Sequence, residues 1–296
     1  MTRDTNPNSV ANPGRRRLLR MMVGAVITMP MAVGGYARFI EPNNIRQRKL
    51  ELDIHGLPAS FNGLTIAHIS DIHYGHHLSE SKLASIVQDV QANQPDVICI
   101  TGDIVDNGDV VPAEIVPILR QLRAPYGSYA VLGNHDYRGR GAKAVENALQ
   151  TAGIRVLRND NVILRRNHEV LALAGIDDAL EGIPDMTRAM QGISGKMCCI
   201  LLAHEPDWGT VALNYQVDLQ LSGHSHGGQV RVPLVGPLFL PTLGERYPDG
   251  LYMLERVDRP DRPLHIYTSR GLGTTFLPVR LLCPPEWTLL TLRSIG

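Results

Sequence analysis

This sequence has no full membrane-spanning run, no paired-cysteine motif and no excess of charge of either sign. Lys and Arg together number 29, as do Asp and Glu, so the formal net charge is zero. A chain without a global field does not gather nucleic acid electrostatically, which argues against DNA or RNA as the main ligand. The four cysteines, Cys99, Cys198, Cys199 and Cys283, contain no C-x-x-C pair, and the first three lie in apolar strand-like runs. They read as small core hydrophobes. Neighbours Cys198 and Cys199 would point to opposite faces of one strand, which keeps them from sharing a metal site. No internal repeat or low-complexity tract interrupts the folded part. At 296 residues and 44% hydrophobic content, the chain can bury the core of one large domain and carry a short appendage.

The appendage is residues 1–44. A polar start rich in Asn and Pro leads to Arg15-Arg16-Arg17-Leu18-Leu19-Arg20 and then to apolar residues 21–33. Paired Arg15 and Arg16, two apolar residues, a basic residue and a modest hydrophobic segment resemble a twin-arginine export signal, whose machinery would be a partner. Gly14 stands where Ser or Thr is usual, Leu18 replaces the common Phe, and no clean A-x-A cleavage site follows. Residues 21–36 fall short of the ~20 apolar residues that span a bilayer. The expected location is the periplasm or the outer face of the cytoplasmic membrane, with the segment either cleaved or kept as an anchor.

Residues 45–296 form the expected domain. Alternating Leu50, Leu52 and Ile54 predict an edge strand. Helical spacing is predicted over 79–93, with Leu83, Ile86, Val87 and Val90 on one face, and again over 113–122 and 142–152. Strands alternating with helices indicate an α/β domain with ligands at the strand ends. After Asn159 the apolar runs shorten, at 162–164 and 170–176, which suggests a second sheet with antiparallel character.

Five apolar runs end in polar residues that ligate metals or move protons. They deliver Asp71-x-His73, Gly102-Asp103-x-x-Asp106, Gly133-Asn134-His135-Asp136, His204 and Gly223-His224-x-His226. Any one of these is weak; the set in this order resembles the calcineurin-like metallophosphoesterase superfamily over about residues 64–291. The resemblance implies a four-layer α/β/β/α sandwich with mixed sheets and a pair of divalent ions, drawn from manganese, iron, zinc or cobalt. It implies that Asp71, His73, Asp103 and His226 hold one ion while Asp103, Asn134, His204 and His224 hold the other. Asp103 would bridge, giving each ion one carboxylate oxygen, and the pair would activate water for hydrolysis of a phosphoester. His135 would be the catalytic proton donor, oriented by Asp106. His68 is expected to pack near the site, and His55, His168 and His265 to lie at the surface.

Departures from that pattern narrow the substrate. Phosphoprotein phosphatases of the superfamily have Asp-Arg-Gly at the end of the second motif, whereas Asp106 is followed here by Asn107-Gly108. The run 227–237, Ser269-Arg270-Gly271 and Cys283-Pro284-Pro285-Glu286 instead look like bacterial phosphodiesterases that are exported or membrane-tethered, a branch similar to UDP-diacylglucosamine pyrophosphatases. Arg270 is either a replacement phosphate contact or a structural ion pair, and His76 and His77 stand close enough to the first motif to touch substrate. The proline-stiffened apolar stretch 232–241 is either a buried loop or a lip that accepts an acyl chain or rests on a membrane surface. The expected substrate is a phosphodiester. A nucleotide- or lipid-linked diphosphate is the alternative, and a non-catalytic metal-binding envelope protein would be expected to have lost some of these ligands.

Overall fold

The computed structural model describes residues 13–106, 112–139 and 141–295. Helix α1 (Pro13–Gly35) continues through a wide turn at Tyr36–Ile40 and a tight one at Glu41–Asn43 into β1 (Arg46–His55). Among the described residues, no helix is long and apolar enough to cross a membrane. In β1, Leu52 and Ile54 are buried between exposed neighbours, the pattern of a strand with one face on a core. It is an edge strand, as its alternation predicts, and pairs in parallel with β14 (Glu286–Ile295).

The first sheet runs β1-β14-β2-β3-β4-β5, with β2 (Thr65–Ile69), β3 (Val97–Thr101), β4 (Ser128–Val131) and β5 (Arg155–Val156). β14 is antiparallel to β2, and β2 to β5 are parallel. The second sheet runs β12-β13-β9-β8-β7-β6, with β6 (Asp160–Arg166), β7 (Glu169–Gly175), β8 (Cys198–Leu202), β9 (Leu219–Ser222), β12 (Gly250–Leu254) and β13 (Leu264–Thr268). Its antiparallel character is confined to the edge pairs β6/β7 and β12/β13, while β7, β8, β9 and β13 are parallel. The antiparallel pairing expected of the runs 162–164 and 170–176 is found in β6/β7, and the strands between the edges are parallel. β8 and β9 are buried along their whole length, which suits central parallel strands covered on both faces. A small hairpin, β10 (Arg231–Val232) and β11 (Gly236–Pro237), lies outside both sheets.

Helix α2 (Glu80–Ala92) starts at Ser79, whose hydroxyl accepts the Lys82 N–H at 3.3 Å, and buries Leu83, Ile86, Val87 and Val90. The helix expected over 113–122 is one turn, α3 (Val116–Leu119), after a tight turn at Pro112–Ile115. Pro117 fixes that start, since its ring suits the first turn and no later one. With α4 (Ala142–Thr151), these helices cover one face of the first sheet through Ile69, Leu83, Ile100, Ile118 and Leu149. Ile66, Leu173, Ile200, Leu202 and Leu290 fill the space between the sheets. Single-turn α5 (Met186–Ala189) and α6 (Gly209–Ala212) cover the far face of the second sheet. The result is a four-layer α/β/β/α sandwich. Cys198 faces the inter-sheet core and Cys199 the outer one, and all four cysteines are buried and free.

Candidate metal centre

Parallel strands of both sheets release their polar tips into one place. β2 is followed by Asp71 and His73, β3 by Asp103 and Asp106, β4 by Asn134 and His135, β8 by His204, and β9 by His224 and His226. Five of these residues, Asp71, His73, Asp103, His224 and His226, have positive φ between 47° and 67°. Left-handed backbone at a non-glycine residue costs of order 1–3 kcal/mol, so the fold spends stability to turn these side chains inward. Gly223 precedes the last pair because a Cβ there would strike Ser70 Oγ and Asp71 Oδ2.

The side chains interlock. His73 Nε2 lies 3.0 Å from His226 Nε2 and 3.5 Å from Asp103 Oδ2, and His226 Nε2 lies 3.6 Å from Asp71 Oδ1. His204 Nε2 is 3.3 Å from the same Asp103 Oδ2 and 3.2 Å from His224 Nδ1. Asp103 Oδ1 is occupied by the His135 N–H at 2.9 Å. Asp103 Oδ2 thus faces both groups of imidazoles, while Oδ1 accepts the His135 N–H.

The outer nitrogens fix the tautomers. His204 Nδ1–H donates to Thr101 O at 2.8 Å, His224 Nε2–H to Thr242 O at 2.9 Å, and His73 Nδ1–H to Asp106 Oδ1 at 3.0 Å. Each ring is left with a bare nitrogen pointing inward, the arrangement that an acceptor on the far ring nitrogen imposes on metal-binding histidines. Asn134 Oδ1 is buried with no hydrogen-bond partner, and a neutral oxygen so placed is free to ligate a cation. Among the described residues, three groupings have ligand atoms within 4.8 Å of one another: Asp71/His73/Asp103/His226, His73/Asp106/His135 and His204/Glu205/His224.

The family model for calcineurin-like phosphoesterases matches residues 64–228. The chain belongs to this family. It is 36% identical to the uncharacterized metallophosphoesterase YkuE of Bacillus subtilis, over 95% of this chain and 98% of that one. It is 30% identical to phosphodiesterase YaeI of Escherichia coli, over 94% and 98% of the two chains. It is 25% identical to UDP-2,3-diacylglucosamine pyrophosphatase LpxG of Chlamydia trachomatis, over 90% and 94%. A calcineurin-like phosphoesterase is a phosphoester hydrolase that uses divalent metal, and the donor set described above fits one.

Charge at this phosphoesterase centre is arranged around Asp103. Burial pushes its carboxyl up, but the charge and hydrogen bond of His204, then His73, outweigh it and hold the group well below the usual range. Burial pulls His204 down, but Asp103, then Glu205, raise it well above the usual imidazole value. Burial lowers His224 to about 4, with His204 adding to the effect. It lowers His226 well below its usual value, with His73 adding.

His135 lies beside the ligands and lines a cavity of about 390 Å³ together with Asp103, Asn134, His224 and His226. Its Nδ1 sits 3.1 Å from Asp106 Oδ1 and 3.1 Å from Asp106 O, leaving Nε2 unclaimed. Burial lowers its pKa, but the Asp106 hydrogen bond and then the Asp103 charge win and raise it. His76 Nδ1 pairs with Asp106 Oδ2 at 3.3 Å and does not line this cavity. Arg270 does not line it either, because its Nε and guanidinium nitrogen donate to Asp249 Oδ2 at 3.0 and 2.8 Å. His265, expected at the surface, is buried in β13, while His168 is exposed and His55 half-buried. His68 is fully buried, its Nε2 2.8 Å from Thr101 Oγ1, and burial lowers it to about 3.

Sequence reasoning gave no role to three residues here. Asp136 accepts from Ile104 N, Val105 N and Gly133 N at 2.8, 3.1 and 3.0 Å, clamping the second motif to the third. Burial and then Asp103 raise it to about 7. Glu205 stands beside His204 and His224. Arg138 lines the cavity with its guanidinium 3.1 Å from His135 Nδ1 and pairs with no carboxylate among the described residues. Its only sequence signal was its place three residues after His135.

Proposed function

We propose that this protein is an exported, membrane-associated phosphodiesterase with a dinuclear centre. The observation that carries the reading is that His73, from the first sheet, and His204, from the second, meet at Asp103 Oδ2, with Asp71, His226 and His224 beside them and Asn134 Oδ1 buried without a partner. Asp71, His73, Asp103 and His226 would hold one ion and Asp103, Asn134, His204 and His224 the other. When bound, the ions would neutralise phosphoryl oxygens and supply a nucleophilic water near neutral pH. His135 donates a proton from Nε2 to the leaving oxygen, and Asp106 holds its Nδ1–H and favours its charged form. Arg138, uncompensated at the cavity wall, grips a non-bridging phosphate oxygen, the role considered above for Arg270.

The apolar part of the cavity supports a substrate with an apolar substituent. Leu180, Phe239, Pro241 and Phe276 line it, and Phe239 and Phe276 are 66% and 72% exposed. The same wall would accommodate a lipid-linked diphosphate, the class named for LpxG, and would rest against a membrane surface. Metal-reconstituted protein is expected to cleave an aryl phosphodiester faster than an aryl phosphomonoester and to lose this activity on chelation. Faster cleavage of a UDP-linked glycolipid than of the diester would favour the diphosphate reading. No turnover of any of the three by metal-loaded protein would sink both.

A further inference from the structure

A second group of cations gathers where the chain leaving α1 meets α2. Arg38, Asn43, His77, Lys82 and Thr274 line a separate cleft of about 90 Å³, and no carboxylate lines it. Lys82 Nζ donates to neutral oxygens only, Pro42 O at 2.9 Å and Asn43 Oδ1 at 2.7 Å. Burial, then the cation of Arg280, push its pKa down. Arg38 forms no ion pair among the described residues; its guanidinium lies 5.1 Å from the Phe39 ring centroid. The nearby acid, Glu41, turns one oxygen to the Cys283 N–H and does not line the cleft. Thr274 is 4% exposed, yet its hydroxyl has no hydrogen-bond partner.

Cations that line one cleft with no carboxylate beside them among the described residues, next to an idle buried hydroxyl, describe a site lacking its anion. We propose that this cleft binds one phosphate-type oxyanion, with Lys82 and Arg38 supplying the charge and Thr274 a hydrogen bond. The cleft is too small for a nucleotide and suits a single tetrahedral anion. Phe39 and Ile40, 67% and 57% exposed beside Arg38, put apolar surface next to it, so the oxyanion is either free phosphate or the phosphate of a lipid headgroup. The inference does not depend on the metal chemistry, since none of these residues belongs to the metal centre.

The full-length, metal-loaded protein tests it. Wild type is expected to bind inorganic phosphate in calorimetry at a site additional to the metal centre. Lys82→Met should weaken that site at least about tenfold while leaving hydrolysis of a soluble ester unchanged. Sedimentation with phosphatidylcholine vesicles, with and without phosphatidylglycerol, separates the two sources. If the ligand is a headgroup, Lys82→Met and Arg38→Met should each weaken binding to the anionic vesicles about fivefold. Arg38 is exposed, so its variant guards against a Lys82 variant that misfolds. Loss in either arm supports the site and names its source. Wild type that binds neither probe, or variants that bind both as wild type does, would overturn it.

Discussion

At Asp106 one carboxylate faces three imidazoles: Oδ1 meets His73 and His135, and Oδ2 meets His76. Burial pushes its pKa up, but the hydrogen bonds from His135 and His73 hold it well below the usual carboxylate range. Its variants should therefore report on two functions. His135→Gln is expected to keep full metal content and lose on the order of 10²- to 10⁴-fold in turnover, the range for a positioned proton donor. The loss should shrink for a nitrophenyl ester, whose leaving group needs little protonation. Asp106→Asn should lower turnover and also weaken metal binding about 10- to 100-fold, because His73 loses the acceptor that fixes its tautomer. Metal analysis beside kinetics decides this. Intact metal affinity in Asp106→Asn would confine Asp106 to His135, and a lost metal in His135→Gln would make His135 a ligand.

The strand tips belong to two different sheets, and the proposed centre would join them. Asp71, His73, Asp103 and Asn134 follow strands of the first sheet, while His204, His224 and His226 follow strands of the second. Metal bound to both sets should stabilise the native state by mass action, about 4 kcal/mol at a thousandfold excess over Kd. For a chain of this size that corresponds to a Tm rise on the order of 10 °C. Chelation should reverse the rise and raise hydrogen exchange at the C-terminal ends of β3, β4, β8 and β9 together. Unchanged melting on chelation, in protein shown to contain metal, would mean that the ions do not couple the sheets. The elements were legible where period and length agreed, as in α2, α4, β1 and the buried runs of β2 and β3. The parallel interior of the second sheet was not, because a short apolar run carries no record of its partner's direction.

For the whole molecule, location rests on residues 1–44, which we propose act as an export signal or anchor. Replacing Arg15 and Arg16 with Lys should leave folded enzyme in the cytoplasm if the pair is read as an address. Fractionation of cells making each form checks this, and unchanged export would replace the twin-arginine reading with a general secretory one.

The family and the four-layer plan were written in the sequence, because a metal site needs fixed residue types in a fixed order after strands. The turning of Asp103 Oδ2 toward both groups of imidazoles, the removal of Arg270 to Asp249 and the exposure of Arg138 to the cavity were not. Each depends on which partner reaches a side chain first, and those partners lie in other elements: His135 N for Asp103, Asp249 for Arg270, and, among the described residues, no carboxylate for Arg138. Residue type sets what a side chain can do, and only the packed chain decides which of its atoms remain free to do it.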